Sequence, residues 1–359
     1  MRIVTVIGNR PQFVKAAAVS RLLRERHEEL IVHTGQHYDD ELSRIFFEEL
    51  GVPTPARELH VNDGSPTSQT ARMLAALEPE LEDLRPDLVL VYGDTNSTLA
   101  GALAAAQRHV PVAHVEAGMR SFDRRMPEEL NRVLTDHASD LLLCSTETAV
   151  RNLEREAAAG QVRLVGDAMA DVTLAFAPIA EQRSTALADN GVEPGAYVVV
   201  TAHRAGNVDD PQRLERLVEL LERLPLPAVF PLHPRTRARL EASGLIGRVE
   251  AAPNVKLTRP LGYLDFLTLA RNARAVLTDS GGVQKEAYLL GTPCITLRDT
   301  TEWVETVESG WNVLVDLDVD AALAALDREP PPGERPELYG GGQAGRRIRD
   351  TIDAYTGGP

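Results

Sequence analysis

Lysine is the rare charge in this chain. Of 359 residues only Lys15, Lys256 and Lys285 are lysines, and arginine supplies the rest of the 38 cations. Against 53 acids the formal net charge is −15, which argues against nucleic acid or an anionic membrane as the main partner. An anionic ligand stays possible, because binding depends on local groups. Cysteine is scarce too: Cys144 and Cys294 both lie in apolar runs. They read as buried thiols of a reducing compartment, not as a disulfide or a nucleophile. No apolar run approaches the roughly 18 residues of a membrane span. The opening MRIVTVIGNRP holds too short an apolar stretch for a signal-peptide core. The expectation is a cytoplasmic protein with no membrane partner. Familiar site motifs are missing as well. There is no GxGxxG and no GxxxxGK(S/T), so neither a dinucleotide fingerprint nor a P-loop is present. The nine histidines form no HxH or HExxH, so no metal and no cofactor are expected. GxSxG is absent, which disfavours nucleophilic hydrolysis. No short-period repeat or low-complexity segment is found.

What the chain does contain is alternation. At 43% hydrophobic it can bury a full core, and its length suits two domains. Apolar strands are expected at Ile3–Ile7, Leu30–Thr34, Leu88–Tyr92, Pro111–Val115 and Asp140–Cys144, with a short one in 160–166. Helical spacing separates them over 12–26, 42–50, 68–84, an Ala-rich stretch to Gln107, and 127–137, while 52–66 reads as loop. A second series follows, with strands at Tyr197–Thr201, Ala228–Leu232, Val255–Leu257, Ala275–Thr278 and Pro293–Leu297. Its helices are expected at 214–224 and 263–270. Between the series, 168–194 is expected to be helical, and the final helix runs from Ala344. Strands alternating with helices indicate parallel, doubly wound sheets. The expected domains are 1–167 and 168–343, with helix 344–357 packing back on the first.

Ligands of open parallel sheets sit outside the carboxyl ends of the strands. Four strand ends of the first series carry polar clusters there: Gly8-Asn9-Arg10-Pro11, Gly35-Gln36-His37, Gly93-Asp94-Thr95, and the stretch following Val115. In that last stretch Glu116 closes a strand, and Pro127 opens a helix with Glu128 and Glu129 in its first turn. First-turn acids also complement the helix dipole, so a plain structural role competes there. Asp94 likewise suits an N-cap, although Thr95, Asn96 and Ser97 could cap as well. Asp94, Glu116, Glu128, Glu129 and His203 are the candidate acids and bases. Arg10 and Lys15 supply cations at the first turn. In the second series, DSGGVQKE follows a strand and opens a helix. There Ser280, Gly281 and Gly282 can offer N–H groups to a phosphate, and Glu286 can accept ribose hydroxyls.

In order, GNRPQFVKAA, TGQHYD, YGDTNSTLAG, HVEAGMRS, MPEELNRVLTD, AHRAGN, DSGGVQKEA and RDTTEW resemble the non-hydrolysing UDP-N-acetylglucosamine 2-epimerases over nearly the whole chain. That resemblance implies two Rossmann-like domains in a GT-B arrangement, with the cleft between them closing on a UDP-sugar, and a homodimer. It implies inversion at C2 by anti elimination of UDP and re-addition through 2-acetamidoglucal. It places Asp94, Glu116, Glu128 and His203 among acid/base and active-site residues, and Arg10 and Lys15 at phosphate and sugar contacts. It places Ser280, Gly281, Gly282 and Glu286 at UDP, with Phe266 facing the uracil. Gln36, His37, Arg72 and His233 are candidates for a second site or loop contacts. A GT-B glycosyltransferase is the rival class, against which the HVEAG and MPEE motifs argue.

Two departures stand out. Members of the family often carry Arg-Pro after DTTE, where this chain has Trp303-Val304. GNRPQF, HTGQHYD, YGDTNSTLAGAL and RSFDRRMPEE look closer to the branch acting on UDP-2,3-diacetamido-2,3-dideoxyglucuronate, whose uronate Arg124 and Arg125 could meet. In the loop that binds an activating second substrate in bacterial members, Gln36 and His37 match but Asp39 and Asp40 do not. Activation is therefore expected to be weak or absent. Initial rates should be hyperbolic in UDP-sugar, and sigmoidal kinetics would count against this reading.

Overall fold

The computed structural model describes residues 1–35 and 53–355. Gln36, His37 and the helix expected over 42–50 lie outside them. The chain divides into two compact units, Met1–Val172 with Glu337–Pro359, and Thr173–Pro336.

The first unit holds a seven-stranded sheet. Its strands are β1 (Arg2–Ile7), β2 (Glu28–His33), β3 (Arg57–Glu58), β4 (Leu88–Tyr92), β5 (Val112–Ala117), β6 (Leu141–Cys144) and β7 (Gln161–Leu164). Their order is β3-β2-β1-β4-β5-β6-β7, and the paired strands run parallel. The central strands read as unbroken apolar runs because helices cover both faces; all five residues of LVLVY in β4 are buried. Val4, Val6, Val89 and Val91 pack with Met73 and Leu77 of the Pro66–Leu84 helix.

The second unit holds β8 (Val198–Thr201), β9 (Ala228–Pro231), β10 (Val255–Thr258), β11 (Ala275–Thr278), β12 (Cys294–Thr296) and β13 (Asn312–Leu314). The six run in the order β10-β9-β8-β11-β12-β13. Val198, Val200 and Leu277 face one core with the Pro211–Arg223 helix, and Val199 and Val276 face another. In each sheet the order of addition reverses once, between β1 and β4 and between β8 and β11.

Several expectations change. The stretch 168–194 is not one helix: Ala168–Arg183 stops, and a short Ala186–Asn190 helix follows. Ser184 intervenes, its Oγ donating to Asp265 at 2.6 Å and accepting from the Ala186 N–H at 3.1 Å, which diverts the chain. The loop expected over 52–66 contains β3 and ends in the first residue of a helix, where Pro66 takes the position its fixed φ favours. Sequence spacing passed over β13 and the helices Glu147–Arg155, Pro234–Ala242 and Val319–Leu326. Cys144 and Cys294 are free and buried, and burial pushes both thiols up.

The Ala344–Ala354 helix belongs to the first unit and lies on the Arg10–Leu23 helix. Asp353 accepts from Arg26 at 2.5 Å and meets His27 Nε2 at 2.7 Å. Gly345 makes the close approach possible: a Cβ there would stand 2.5 Å from the Ala18 carbonyl oxygen. Gly345→Ala should therefore cost about 1–3 kcal/mol, read as a lower urea midpoint for the transition of the first unit. An unchanged midpoint would show that the helices part without cost.

Candidate active site

At the reversal in the first sheet, the loops after β1 and β4 leave side by side. Asn9 caps the Arg10–Leu23 helix by accepting from the Gln12 N–H, and the Gln12 side chain accepts from Gly8 N–H at 2.7 Å. The Gln12 amide then donates to Tyr92 O at 2.8 Å and Thr98 Oγ1 at 2.9 Å. One glutamine thus fixes the two loops to each other. Gly8 is obligatory there, since a Cβ would collide with Ser97 and Thr34. Arg10 is the first residue of the helix.

Lys15, one turn further on, forms an ion pair with Glu116 from the end of β5, and both side chains are nearly buried. Glu116 has φ +73° and sits where the β5–β6 register shifts. A non-glycine residue held in that region costs of order 1–3 kcal/mol and marks a position the surroundings over-determine. Gly93, with φ +67°, lies beneath the pair: its Cβ would meet Lys15 Nζ at 3.1 Å and Glu116 Oε2 at 3.4 Å. Asp94 follows directly. Arg132 grips its carboxylate at 2.5 and 3.0 Å, and Asn131 donates to its carbonyl at 3.0 Å. The structure therefore pairs Lys15 with Glu116 and sets Gly93, the residue before Asp94, against that pair.

Glu128 and Glu129 separate. Glu129 is buried and accepts from Ser121 N–H and Oγ, both at 2.9 Å, from Phe122 N–H at 2.8 Å and from Arg132 at 2.8 Å. Burial alone would lift its carboxyl, but these donors outweigh it and hold it below the usual range. Its role is to tie down the 121–122 loop. Glu128 is exposed on the first turn and has no partner among the described residues. Arg125 chelates Asp123 of its own loop at 2.8 Å. Arg72 is held by Asp63, at 2.5 Å to one carboxylate oxygen.

The reversal in the second sheet gathers another group. Asp279, fully buried after β11, accepts from the N–H groups of His203 and Arg204, after β8, at 2.9 to 3.1 Å and from Asn207 at 3.1 Å. His203 stacks on His233 with ring centroids 5.0 Å apart. Burial and the charges of Arg204 and Arg235 push the His203 imidazole below its ordinary value, against the pull of Asp279. Ser280 precedes the Gly281–Leu290 helix without a side-chain cap bond. Its Gly281 and Gly282 are partly open to solvent, and a Cβ at Gly282 would meet nothing closer than 3.9 Å. Glu286 is buried on the same helix, and Phe266 packs half-buried against the adjoining core. Lys285, almost fully buried, sets its Nζ 3.8 Å over the Trp303 ring. Sequence reasoning gave no part to Gln12, His114, Asp136, Asp279 or Arg132. For Asp279 the signal was its place in DSGG; the others had no signal beyond position in a motif. Among the described residues no cluster of His, Cys, Asp and Glu could hold a metal ion.

A family model described as UDP-N-acetylglucosamine 2-epimerase matches residues 21–353. The chain belongs to that family. It is 48% identical, over 98% of its length and 99% of the relative's, to UDP-2,3-diacetamido-2,3-dideoxy-D-glucuronate 2-epimerase of Pseudomonas aeruginosa. It is 42% identical to UDP-N-acetylglucosamine 2-epimerase of Methanocaldococcus jannaschii, over 97% of this chain and 98% of that one. A crystal structure of the M. jannaschii UDP-GlcNAc 2-epimerase in complex with UDP-GlcNAc and UDP superposes with a TM-score of 0.92. It is 41% identical and covers 98% of this chain and 99% of that chain. Family members of this kind are isomerases acting on UDP-sugars. In this 2-epimerase the two parallel-sheet domains each present their polar cluster at the strand-order reversal.

The Glu129 contacts give a measurable consequence. Glu129→Gln should cost on the order of 1–3 kcal/mol at neutral pH, because buried donors lose an ionised acceptor. The folded carboxyl is depressed, so its contribution is full above the unfolded value of about 4.3 and is lost as pH falls through the folded one. Urea titrations should show the gap between variant and parent narrowing below about pH 4; a gap constant with pH would refute the assignment.

Proposed function

We propose that the chain is a non-hydrolysing UDP-N-acetylglucosamine 2-epimerase. A carboxylate takes the proton from C2, the C–H electron pair becomes the C1=C2 bond, and the C1–O bond breaks with its pair leaving on UDP. The bound 2-acetamidoglucal then receives a proton on the opposite face while UDP re-forms the C1–O bond. The observation that carries the reading is the Lys15–Glu116 pair set against Gly93, the residue before Asp94, at the carboxyl ends of β1, β4 and β5 in a chain of this family. Proton abstraction beside a weakly activated carbon needs positioned carboxylates in a poorly solvated setting. Asp94, Glu116 and Glu128 are assigned to acid/base work, with His203. Arg10 and Lys15 are assigned to phosphate and sugar, and Ser280, Gly281, Gly282, Glu286 and Phe266 to the UDP moiety. Glu128 is exposed beside Glu129, whose carboxylate is held by four donors, and has no partner among the described residues. The reading extends to a cytoplasmic homodimer that supplies polysaccharide assembly, on the strength of the ordered motifs; among the described residues no helix is long and apolar enough to cross a membrane.

A second substrate has a specific observation in its favour. Trp303-Val304 replaces the Arg-Pro pair, and a relative at 48% identity is the diacetamido-glucuronate 2-epimerase. The chemistry at C2 is the same for both. The test is incubation with UDP-N-acetylglucosamine in D2O, followed by NMR at C2. Appearance of the manno epimer carrying deuterium, without stoichiometric free UDP, is the expected result. Exchange with the diacetamido-uronate alone would transfer the assignment to that substrate. Silence with both, from folded protein, would overturn the reaction.

A further inference from the structure

Asp136 takes no part in the roles assigned above, yet it is fully buried in the Pro127–Ala138 helix and its carboxylate meets three partners. Its Oδ1 lies 2.7 Å from His114 Nδ1. Its Oδ2 accepts from Gly118 N–H at 3.0 Å and from Arg120 Nη1 at 2.7 Å. His114 is fully buried too, and its Nε2 donates to the Gly93 carbonyl at 2.7 Å. Arg120 continues to Glu156 through two bonds at 2.8 and 2.7 Å. Gly93 N–H in turn donates to Val115 O at 3.0 Å, and Gly118 O accepts from Asn152 at 3.0 Å.

The geometry has one reading in terms of the chain. Glu116, with its left-handed backbone, lies between His114 and Gly118, and one carboxylate holds both flanks. The same carboxylate, through His114, holds the carbonyl of Gly93, the residue before Asp94. A strained position persists only where neighbours over-determine it, and a supporting shell of buried hydrogen bonds is what fixes reacting groups to a fraction of an ångström.

We propose that Asp136 is a positioning residue of the epimerisation: through His114 and Gly118 it fixes the Asp94 turn and the Glu116 bulge relative to each other. This rests on the assignment of Asp94 and Glu116 to the proton transfers. Asp136 does not touch the sugar. Its replacement acts by letting the two turns drift, and misplacement by about 1 Å costs on the order of 100-fold in rate.

The experiment is a mutant cycle with the epimerase assay and UDP affinity as readouts. Asp136→Ala should lower kcat on the order of 100-fold while KM and the Kd for UDP stay within about threefold. Asp136→Asn, whose amide oxygen still accepts from Gly118 and Arg120, should recover at least about tenfold of that loss. In a Glu116→Gln background Asp136→Ala should add less than about threefold, because the group it positions is already gone. A folded Asp136→Ala protein with kcat within threefold of the parent, or a loss that adds in full on Glu116→Gln, overturns the proposal. If Asp136→Ala does not fold, His114→Ala, which cuts only the tie to Gly93, runs through the same cycle with the same deciding outcomes. A parent protein silent on both UDP-sugars would sink the epimerase reading itself; an active parent with an indifferent Asp136 would sink only the clamp.

Discussion

Everything of chemical interest in this chain depends on where its parallel sheets reverse their order. A parallel strand hands its polar loop to the carboxyl edge, and neighbouring strands added in the same direction send their helices to the same face. At β1/β4 and at β8/β11 the direction changes, and the loops after the two neighbouring strands meet side by side at the carboxyl edge. The glycines of these loops follow from that. Gly8 has no room for a Cβ, and Gly93 needs a positive φ and lies against the Lys15–Glu116 pair. In the second unit the reversal puts the His203 and Arg204 N–H groups on Asp279, two residues before the Gly-Gly helix start.

Charge in the first unit is arranged in alternation. Lys15 meets Glu116; Arg132 meets Asp94 and Glu129; Arg120 meets Asp136 and Glu156. Burying such groups is expensive, and an apolar replacement of a whole pair is often neutral or better for stability. Their presence is therefore poorly explained as a source of stability. What they supply is direction: Arg132 stands between two acids, and Arg120 forms a fork to Glu156 while sharing Asp136 with a histidine. Arginine suits this work because its planar fork binds carboxylates at fixed angles, which a lysine does not. The bias of the chain toward arginine thus has a use here, and the one lysine in the cluster is the one paired point to point.

The sequence was legible where local pattern and tertiary role coincide. Buried parallel strands are apolar throughout, so β1, β4, β5, β8 and β11 stood out, and the polar residues after them were visible as strand-end clusters. The eight motifs extended this to the reaction class. What stayed hidden needed partners from far along the chain. Glu128 and Glu129 are adjacent letters, yet the helix turns one to solvent and the other onto the 121–122 loop. His114 looked like one more residue of a strand until Asp136, 22 positions later, met it. Gln12 reads as an ordinary helix residue, although it bridges 80 positions to Tyr92. The break at Ser184 was invisible because its cause is Asp265, in a helix of the second unit.

Trp303 shows how a departure from a motif acquires physical content. Its indole nitrogen lies 3.2 Å from where a Cβ on Gly281 would sit, so the glycine turn and the indole are steric partners. Lys285 lies over the indole face, buried, at 3.8 Å. An arginine at 303 would bring a second cation against that lysine in a poorly solvated site, where like charges repel most strongly. The tryptophan instead offers the negative face of its ring, a favourable partner for a desolvated ammonium. The Arg-to-Trp difference is thus coupled to Lys285 and to the helix that opens with Gly281. It alters the charge and shape directly behind the Gly-Gly turn, which is the part of the second unit assigned to UDP. The acids of the first unit face a different question, since the proposed chemistry at C2 is the same for either substrate.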